Sequence, residues 1–477
     1  MNYKILTKYI SFIRRNIFRW FVRNNHYFVI ALFYKMFAIK MKKNGNNSQA
    51  DVSGKITILA ISADKFRGDP ECLAQVSKFR VLTMDGKWAR KLMAAFTDKR
   101  FSLDKYLNTE VGDDLYVLKE KIDTFFSGFI LSLLWLIKID CVITVHYRYI
   151  ADLPWVMHLT NKGIPHICFY REGLLSADRF YDGVTARHRL FHGYPVTHII
   201  VHNQKCKNSF VESSFTTERQ VSVHGALRMD NLLKLVNSGK CGAISKDKGR
   251  RKRVTLFYFP YSKSIFGKRR LAEIEKSYGN KYCYVEKTWP RRIDLFRDLH
   301  ISIIRLAQRL PNVDFVIKPK LVYMTKGISW DRYLKIIKET GIDLDKLKNY
   351  TIEPNVNVHD LIINSDVVIA LQSSAVLESA IAGKPVIFPL FYDYKKTRNF
   401  NDFSWRNHLD LFDVAESADE LEALVIERLE NPGIEAKTMK DRRRLFKEYF
   451  SDLEGVALRK YSEKINNIVA SAKKKVR

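Results

Sequence analysis

The stretch "DVVIALQSSAVLESAIAGKPVIFPLF", residues 366 to 391, places two serines and an acidic residue between two apolar runs. "DVVIAL" has the composition of a buried strand, and the helix behind it is expected to start near Ser373 or Ser374. A serine at that point accepts from exposed amides, and those amides with the helix dipole make an anion site fit for a phosphate. Glu378 follows Ser374 by four residues, one turn into the helix, where a carboxylate can accept from ribose hydroxyls. Gly383 ends the helix and lets Lys384 and Pro385 turn into the next strand. An ordinary strand–helix–strand unit with a serine cap explains the same residues equally well.

Other polar groups recur behind apolar runs. In the first half these are His146 with Arg148, Arg171 with Glu172, His202 with Asn203, and His224 with Arg228 and Asp230; in the second half, Lys318 and the serine pair. Each alone is an ordinary solvated loop residue, but together they point to one lined edge. No metal site is expected. The six cysteines (Cys72, Cys141, Cys168, Cys206, Cys241, Cys283) are scattered without a CxxC or Cys/His cluster, as in a reduced, cytoplasmic protein. The Asp-x-Asp pair Asp343 and Asp345 sits in "TGIDLDKLKN", where it reads as the acidic start of a helix.

The elements that must position these groups alternate. A chain of 477 residues with 46% apolar content is long enough for two cores. "KITILAIS" (55–62), "RVLTM" (80–84), "IDCVITVH" (139–146), "HICFY" (166–170), "HIIVHN" (198–203) and "QVSVHG" (220–225) read as strands separated by helices. "DTFFSGFILSLLWLI" (123–137) is apolar all round and is expected to be a buried helix. A second series follows: "RVTLFYFP" (253–260), "VDFVIKP" (313–319), "YTIEP" (350–354), "DVVIAL" (366–371) and "PVIFPL" (385–390). Near-continuous apolar strands belong to parallel sheets covered on both faces. The expected fold class is therefore α/β, with two tandem Rossmann-like domains and a ligand cleft outside the carboxyl ends of the strands. The expected boundaries are residues 1–50 for a basic extension and linker, 51–236 for a first Rossmann-like domain, 237–252 for a linker, and 253–477 for a second Rossmann-like domain with C-terminal helices.

Charge adds a partner. Against 81 Lys and Arg stand 51 Asp and Glu, a net charge of +30, which favours an anionic partner. Residues 1 to 43 hold ten of the basic residues and no acid. If residues 4 to 23 are helical, Leu6, Tyr9, Ile10, Ile13, Ile17, Trp20 and Phe21 gather on one arc and Lys4, Lys8, Arg15, Arg19 and Arg23 on another, while Phe12, Phe18 and Val22 interrupt the polar face. No segment reaches the roughly 20 apolar residues of a membrane span. The expectation is an interfacial helix on anionic lipid, set against a helix packed on the protein's own body with a solvated basic face.

The serine stretch resembles the nucleotide-sugar loop of GT-B glycosyltransferases, especially bacterial surface-polysaccharide enzymes related to capsule transferases and CDP-glycerol glycerophosphotransferases. "FVIKPK" (315–320) is similar to a strand ending in Lys-Pro-His or Arg-Pro-His there, with Lys320 in the place of histidine. "HGALRMDNLL" (224–233) resembles a Gly-x-x-Arg-x-Asp segment of these enzymes and of the UDP-sugar 2-epimerases, and "FYREGLL" (169–175) is similar to their strand-end acidic motif. The resemblance implies a transferase that moves a sugar from a nucleotide donor onto a bacterial capsule or lipopolysaccharide glycan or its lipid-linked precursor, peripheral on the inner face of the cell membrane. It implies donor contacts from Lys318, Ser373, Ser374, Glu378 and Arg228, and, for acceptor deprotonation, Glu172 with His146 behind it. No cofactor is implied beyond the nucleotide-activated sugar itself. Three other readings stand beside it: a CDP-glycerol-type polyol-phosphate transferase, a UDP-sugar 2-epimerase-like enzyme, and a nucleic-acid-binding protein. For the last, no zinc spacing, aromatic RNA-binding strand or Gly-x-x-Gly clamp is found.

Overall fold

A computed structural model describes residues 16–42, 54–96, 102–175, 178–241, 249–257, 292–319, 338, 341–397, 400–401 and 403–476. Residues 1–15, Lys320, the middle of the expected linker and the end of "RVTLFYFP" lie outside them.

Among the described residues, thirteen strands form two sheets. The first holds β1 (Ile39–Met41), β2 (Ile56–Ile61), β3 (Phe79–Met84), β4 (Cys141–Thr144), β5 (His166–Phe169), β6 (His198–Val201) and β7 (Val221–Val223) in the order β1-β3-β2-β4-β5-β6-β7. All its pairings are parallel except β1 on β3. The second holds β8 (Lys252–Phe257), β9 (Val313–Lys318), β10 (Tyr350–Ile352), β11 (Val367–Ile369), β12 (Val386–Pro389) and β13 (Asp413–Ala415) in the order β10-β9-β8-β11-β12-β13, all parallel. Strand order reverses between β2 and β4 in one sheet and between β8 and β11 in the other. These are the switch points at which doubly wound sheets open a crevice.

The central strands are buried along their whole length, so valine and isoleucine fill both faces. The last helix, Ala457–Val476, does not stay with the second sheet. Its Ala457, Tyr461, Ile465 and Val469 pack in one core with Ile58, Ile143 and Phe169 of the first. The chain thus forms two Rossmann-like domains, with a final helix that crosses back from the second to the first.

At the N-terminal side, the helix Tyr27–Phe33 and the turn Tyr34–Ala38 belong to the first domain. Tyr34 is fully buried and donates to the Trp88 carbonyl at 2.8 Å, and β1 extends the sheet. The helix Tyr116–Leu136 covers the stretch expected to be buried all round. It buries Phe125, Phe126, Phe129 and Ile130 but leaves Leu131 and Trp135 exposed, so it has one outward apolar side.

Candidate functional site

The carboxyl edges of the two sheets meet at one seam. β7 runs into "HGALRMD", where three residues act in three ways. Gly225 has φ +81°, and a Cβ there would lie 2.5 Å from the Phe450 carbonyl, so only glycine fits the close pass of the second domain. Asp230 accepts from the Ala457 and Leu458 amides at 3.1 and 2.7 Å, which caps the helix that crosses back. Arg228 reaches across the seam to Glu378 at 3.1 Å and towards Ser374 Oγ at 3.4 Å, with Phe450 under its guanidinium.

Ser373 and Ser374 stand at the switch point of the second sheet. Ser373 Oγ accepts from the Ala375 amide at 3.2 Å. Ser374 holds the position before the helix Ala375–Ile381 but makes no capping bond, and its hydroxyl turns to Arg228. That helix has seven residues, two turns, so its dipole adds less than a long helix would. The loop before it is fixed from outside, because Trp405 donates to the Leu371 carbonyl and Gln372 exchanges bonds with Ser404.

Glu378, expected on ribose hydroxyls, is only 3% exposed. One oxygen meets Arg228 and the other meets His359 Nε2 at 3.2 Å. Burial alone would raise its pKa, but the Arg228 charge and the hydrogen bonds from His359 and Ser374 outweigh it and carry the group down to about 2. Its observed partners are thus protein side chains, Arg228 and His359. Lys318, at the end of β9, is half-buried and donates to the Pro354 carbonyl at 2.9 Å. Burial and the facing Arg67 charge lower its pKa.

Arg67 joins this group from the loop after β2, a loop the sequence reading passed over. Arg171 is the other large contributor. It donates to the Lys65 carbonyl at 3.0 Å and stands 3.8 Å from Asp69, while one of its buried terminal nitrogens has no hydrogen-bond partner. Burial, with Arg228 and Arg67 nearby, brings its pKa down to about 10. Four cations, Arg67, Arg171, Arg228 and Lys318, therefore share one seam with two buried carboxylates, Asp69 and Glu378. Such an excess, with an unsatisfied buried donor, favours a multiply charged anion.

On the first domain's edge, Glu172 follows β5 and is exposed, and among the described residues its carboxylate has no ion-pair or hydrogen-bond partner. His146 is buried behind it. Arg148 directs its backbone amide at one ring nitrogen (3.0 Å) and its Nε at the other (2.9 Å). A neutral imidazole has one acceptor nitrogen, so only one of these is a hydrogen bond at any moment. Burial first, and then Arg148, His188 and Arg187, hold its pKa well below 6.5. A histidine so enclosed is a weak base with little access to a substrate.

The sequence reading also missed a carboxylate at the first switch point. Ser62, at the end of β2 with φ +54°, donates to Asp152 at 2.8 Å, and the second Asp152 oxygen is buried without a partner. Burial pushes this carboxyl up to about 7. Asp64 beside it accepts from the Gly86 amide at 2.6 Å, and a Cβ on Gly86 would lie 2.9 Å from Ser62 Oγ. "ISAD" and "YIADLP" carry no pattern that distinguishes these residues from turn formers; only the strand order brings them together.

No protein-family model and no curated protein sequence matches the chain. Among solved structures, MnaA of S. aureus with UDP is similar over 85% of this chain and 95% of its own, at 12% identity and a TM-score of 0.45. A variant of the wall teichoic acid polymerase TagF soaked with CDPG is similar over 99% of both chains, at 10% identity and a TM-score of 0.49. Anabaena Alr3699/HepE with UDP-glucose is similar over 87% of this chain and all of its own, at 13% identity and a TM-score of 0.42. At these identities and scores the likenesses carry no argument about what this chain does; its architecture is read from its own strands.

Proposed function

We propose that this chain is a transferase that moves a sugar from a nucleotide-activated donor onto a bacterial capsule or lipopolysaccharide glycan or its lipid-linked precursor, peripheral on the inner face of the cell membrane. The observation that carries the reading is the seam where Arg67, Arg171, Arg228 and Lys318 converge beside Ser373 and Ser374, with the free carboxylate of Glu172 on the other edge. A nucleoside diphosphate fits that excess of positive charge. Donor phosphates lie against Arg228, Arg171, Lys318 and the serine hydroxyls, and Glu378 keeps Arg228 and His359 in place.

The reaction asks for two things. As the acceptor hydroxyl oxygen bonds to the anomeric carbon, the bond from that carbon to the phosphate oxygen breaks and its electron pair stays on the phosphate. The fixed cations stabilise that charge, so this step calls on no metal ion. The acceptor proton passes to Glu172. A polyol-phosphate transfer would use the same cations for a different leaving group, and a 2-epimerase would use them without an acceptor.

Titrating the pure protein with UDP-, CDP-, GDP- and CMP-activated donors tests the reading. One class of donor should raise the melting temperature and, with an acceptor glycan, release its nucleotide. Stabilisation without acceptor-dependent release would favour the epimerase, and no stabilisation by any donor would overturn the proposal.

A further inference from the structure

Large apolar side chains on the surface of the described residues are concentrated in one place. Phe28, Leu32, Met36 and Phe37 lie exposed along the helix Tyr27–Phe33 and the turn that continues it. Leu131 and Trp135, one turn apart, lie exposed on the helix Tyr116–Leu136. The Phe28 and Trp135 rings are 5.6 Å apart, so the two elements present a single face. Trp135 is 78% and Met36 63% exposed, values that a tryptophan or methionine reaches in water only at an uncompensated cost.

The helix over residues 16 to 23 adds to it by an inversion. Phe18 and Val22, which interrupt the polar face in the sequence, are buried against the domain, with Phe18 5.7 Å from Phe33. Ile17 and Trp20, from the expected apolar arc, face outward. Phe21, from the same arc, is partly buried against the core, so within residues 16 to 23 the outward apolar side chains are Ile17 and Trp20.

Basic residues are interleaved with this face and acids are missing from it. Residues 16 to 42 contain Arg19, Arg23, Lys35, Lys40 and Lys42 and no Asp or Glu. Lys35 and Lys40 are exposed, and Arg19, Lys35 and Lys40 have no ion-pair partner among the described residues. Among the described residues no helix is long and apolar enough to cross a membrane, so the face can lie on a bilayer but not through it.

We infer that this composite face of the first domain, built from residues 17–37 and the Leu131–Trp135 turn, docks on a phospholipid bilayer with anionic headgroups. Aromatic and methionine side chains enter the boundary between headgroups and acyl chains while Lys35, Lys40 and Arg19 meet the phosphates. Each basic residue near such a surface strengthens the attraction to it. A second copy of the chain is a poorer occupant. A two-fold dimer would set this face on itself, where Lys35 and Lys40 find no acid among residues 16 to 42 to pair with, whereas anionic headgroups complement them. The inference rests on the membrane partner of the proposed function, but moves its seat from the N-terminal arm to the folded domain.

The test is co-sedimentation of the full chain with vesicles of phosphatidylcholine alone or mixed with phosphatidylglycerol. Three proteins are compared: wild type, Phe28→Ser with Trp135→Ser, and Lys4→Gln with Lys8→Gln, Arg14→Gln and Arg15→Gln. Wild type should bind the mixed vesicles and not phosphatidylcholine alone, and the Phe28/Trp135 variant should bind about tenfold or more weakly. Its melting temperature should stay at the wild-type value, because both side chains are exposed. Wild-type-like binding by that variant, with loss only in the arm variant, would return the membrane seat to residues 1 to 15 and overturn the inference. A concentration-dependent dimer broken by the Phe28/Trp135 pair, without an effect on vesicles, would do the same in favour of a second copy. Donor-induced stabilisation, measured on the same samples without vesicles, tests the transferase reading separately.

Discussion

At the residue scale, the division of labour between carboxylates is set by burial. Among the described residues Glu172 is exposed and unpaired, Glu378 is buried and paired, and Asp152 is buried with one oxygen unpaired. Only Glu172 can meet an acceptor without first giving up a protein partner. Glu172→Gln should lower turnover roughly a hundredfold or more while donor affinity and melting temperature stay near wild type. A fall in all three together would make Glu172 a loop-holding residue instead. Asp152 predicts a pH effect of definite sign. Its folded-state pKa, about 7, lies above that of an unfolded aspartate. The contribution is present below the unfolded value of roughly 3.9 and is lost as pH rises through the folded one. Asp152→Asn should therefore melt higher than wild type at pH 8, and the gap should shrink as pH falls towards 4 in thermal scans. A gap that widens with acid would mean that the carboxyl is ionised in the folded protein.

At the element scale, the crossing helix is held by the aspartate that ends the Gly-x-x-Arg-x-Asp segment. Asp230 accepts from two amides of that helix, so Asp230→Ala leaves both without their acceptor at a cost of about 1–2 kcal/mol. Hydrogen exchange should show faster opening of Ala457 to Val469 with little change in β11 or β12; uniform loss of protection across both sheets would contradict this. Eleven strands were legible in the sequence because each is a short apolar run between turn formers. β1 was not, because "IKM" gains its strand only from its antiparallel partner β3, far along the chain, and β13 was not, because "DVA" is too short to show a pattern. The serine loop, Lys318 and Arg228 were legible as strand-end polar groups. The Arg228 bond to Glu378, Arg67 facing Lys318 and the Ser62 bond to Asp152 were not, because they join residues far apart in the chain through strand order alone.

At the scale of the whole molecule, the two domains meet through Arg228, the Gly225 passage and the returning helix, and Arg67, Arg171 and Lys318 stand beside Arg228 there. The +30 of the chain thus has two separate uses in this account: one at the seam for a phosphorylated donor, the other at the outer face of the first domain for lipid. The central claim is that the seam recognises a diphosphate. It is tested most directly by calorimetric titration of wild type and of Arg171→Gln with a nucleoside, its monophosphate and its diphosphate, using the base found in the donor titration. Affinity should rise with each phosphate and fall with added salt, and Arg171→Gln should weaken the diphosphate by about tenfold or more while barely changing the nucleoside. A nucleoside that binds wild type as tightly as its diphosphate, or a diphosphate indifferent to Arg171, would contradict it.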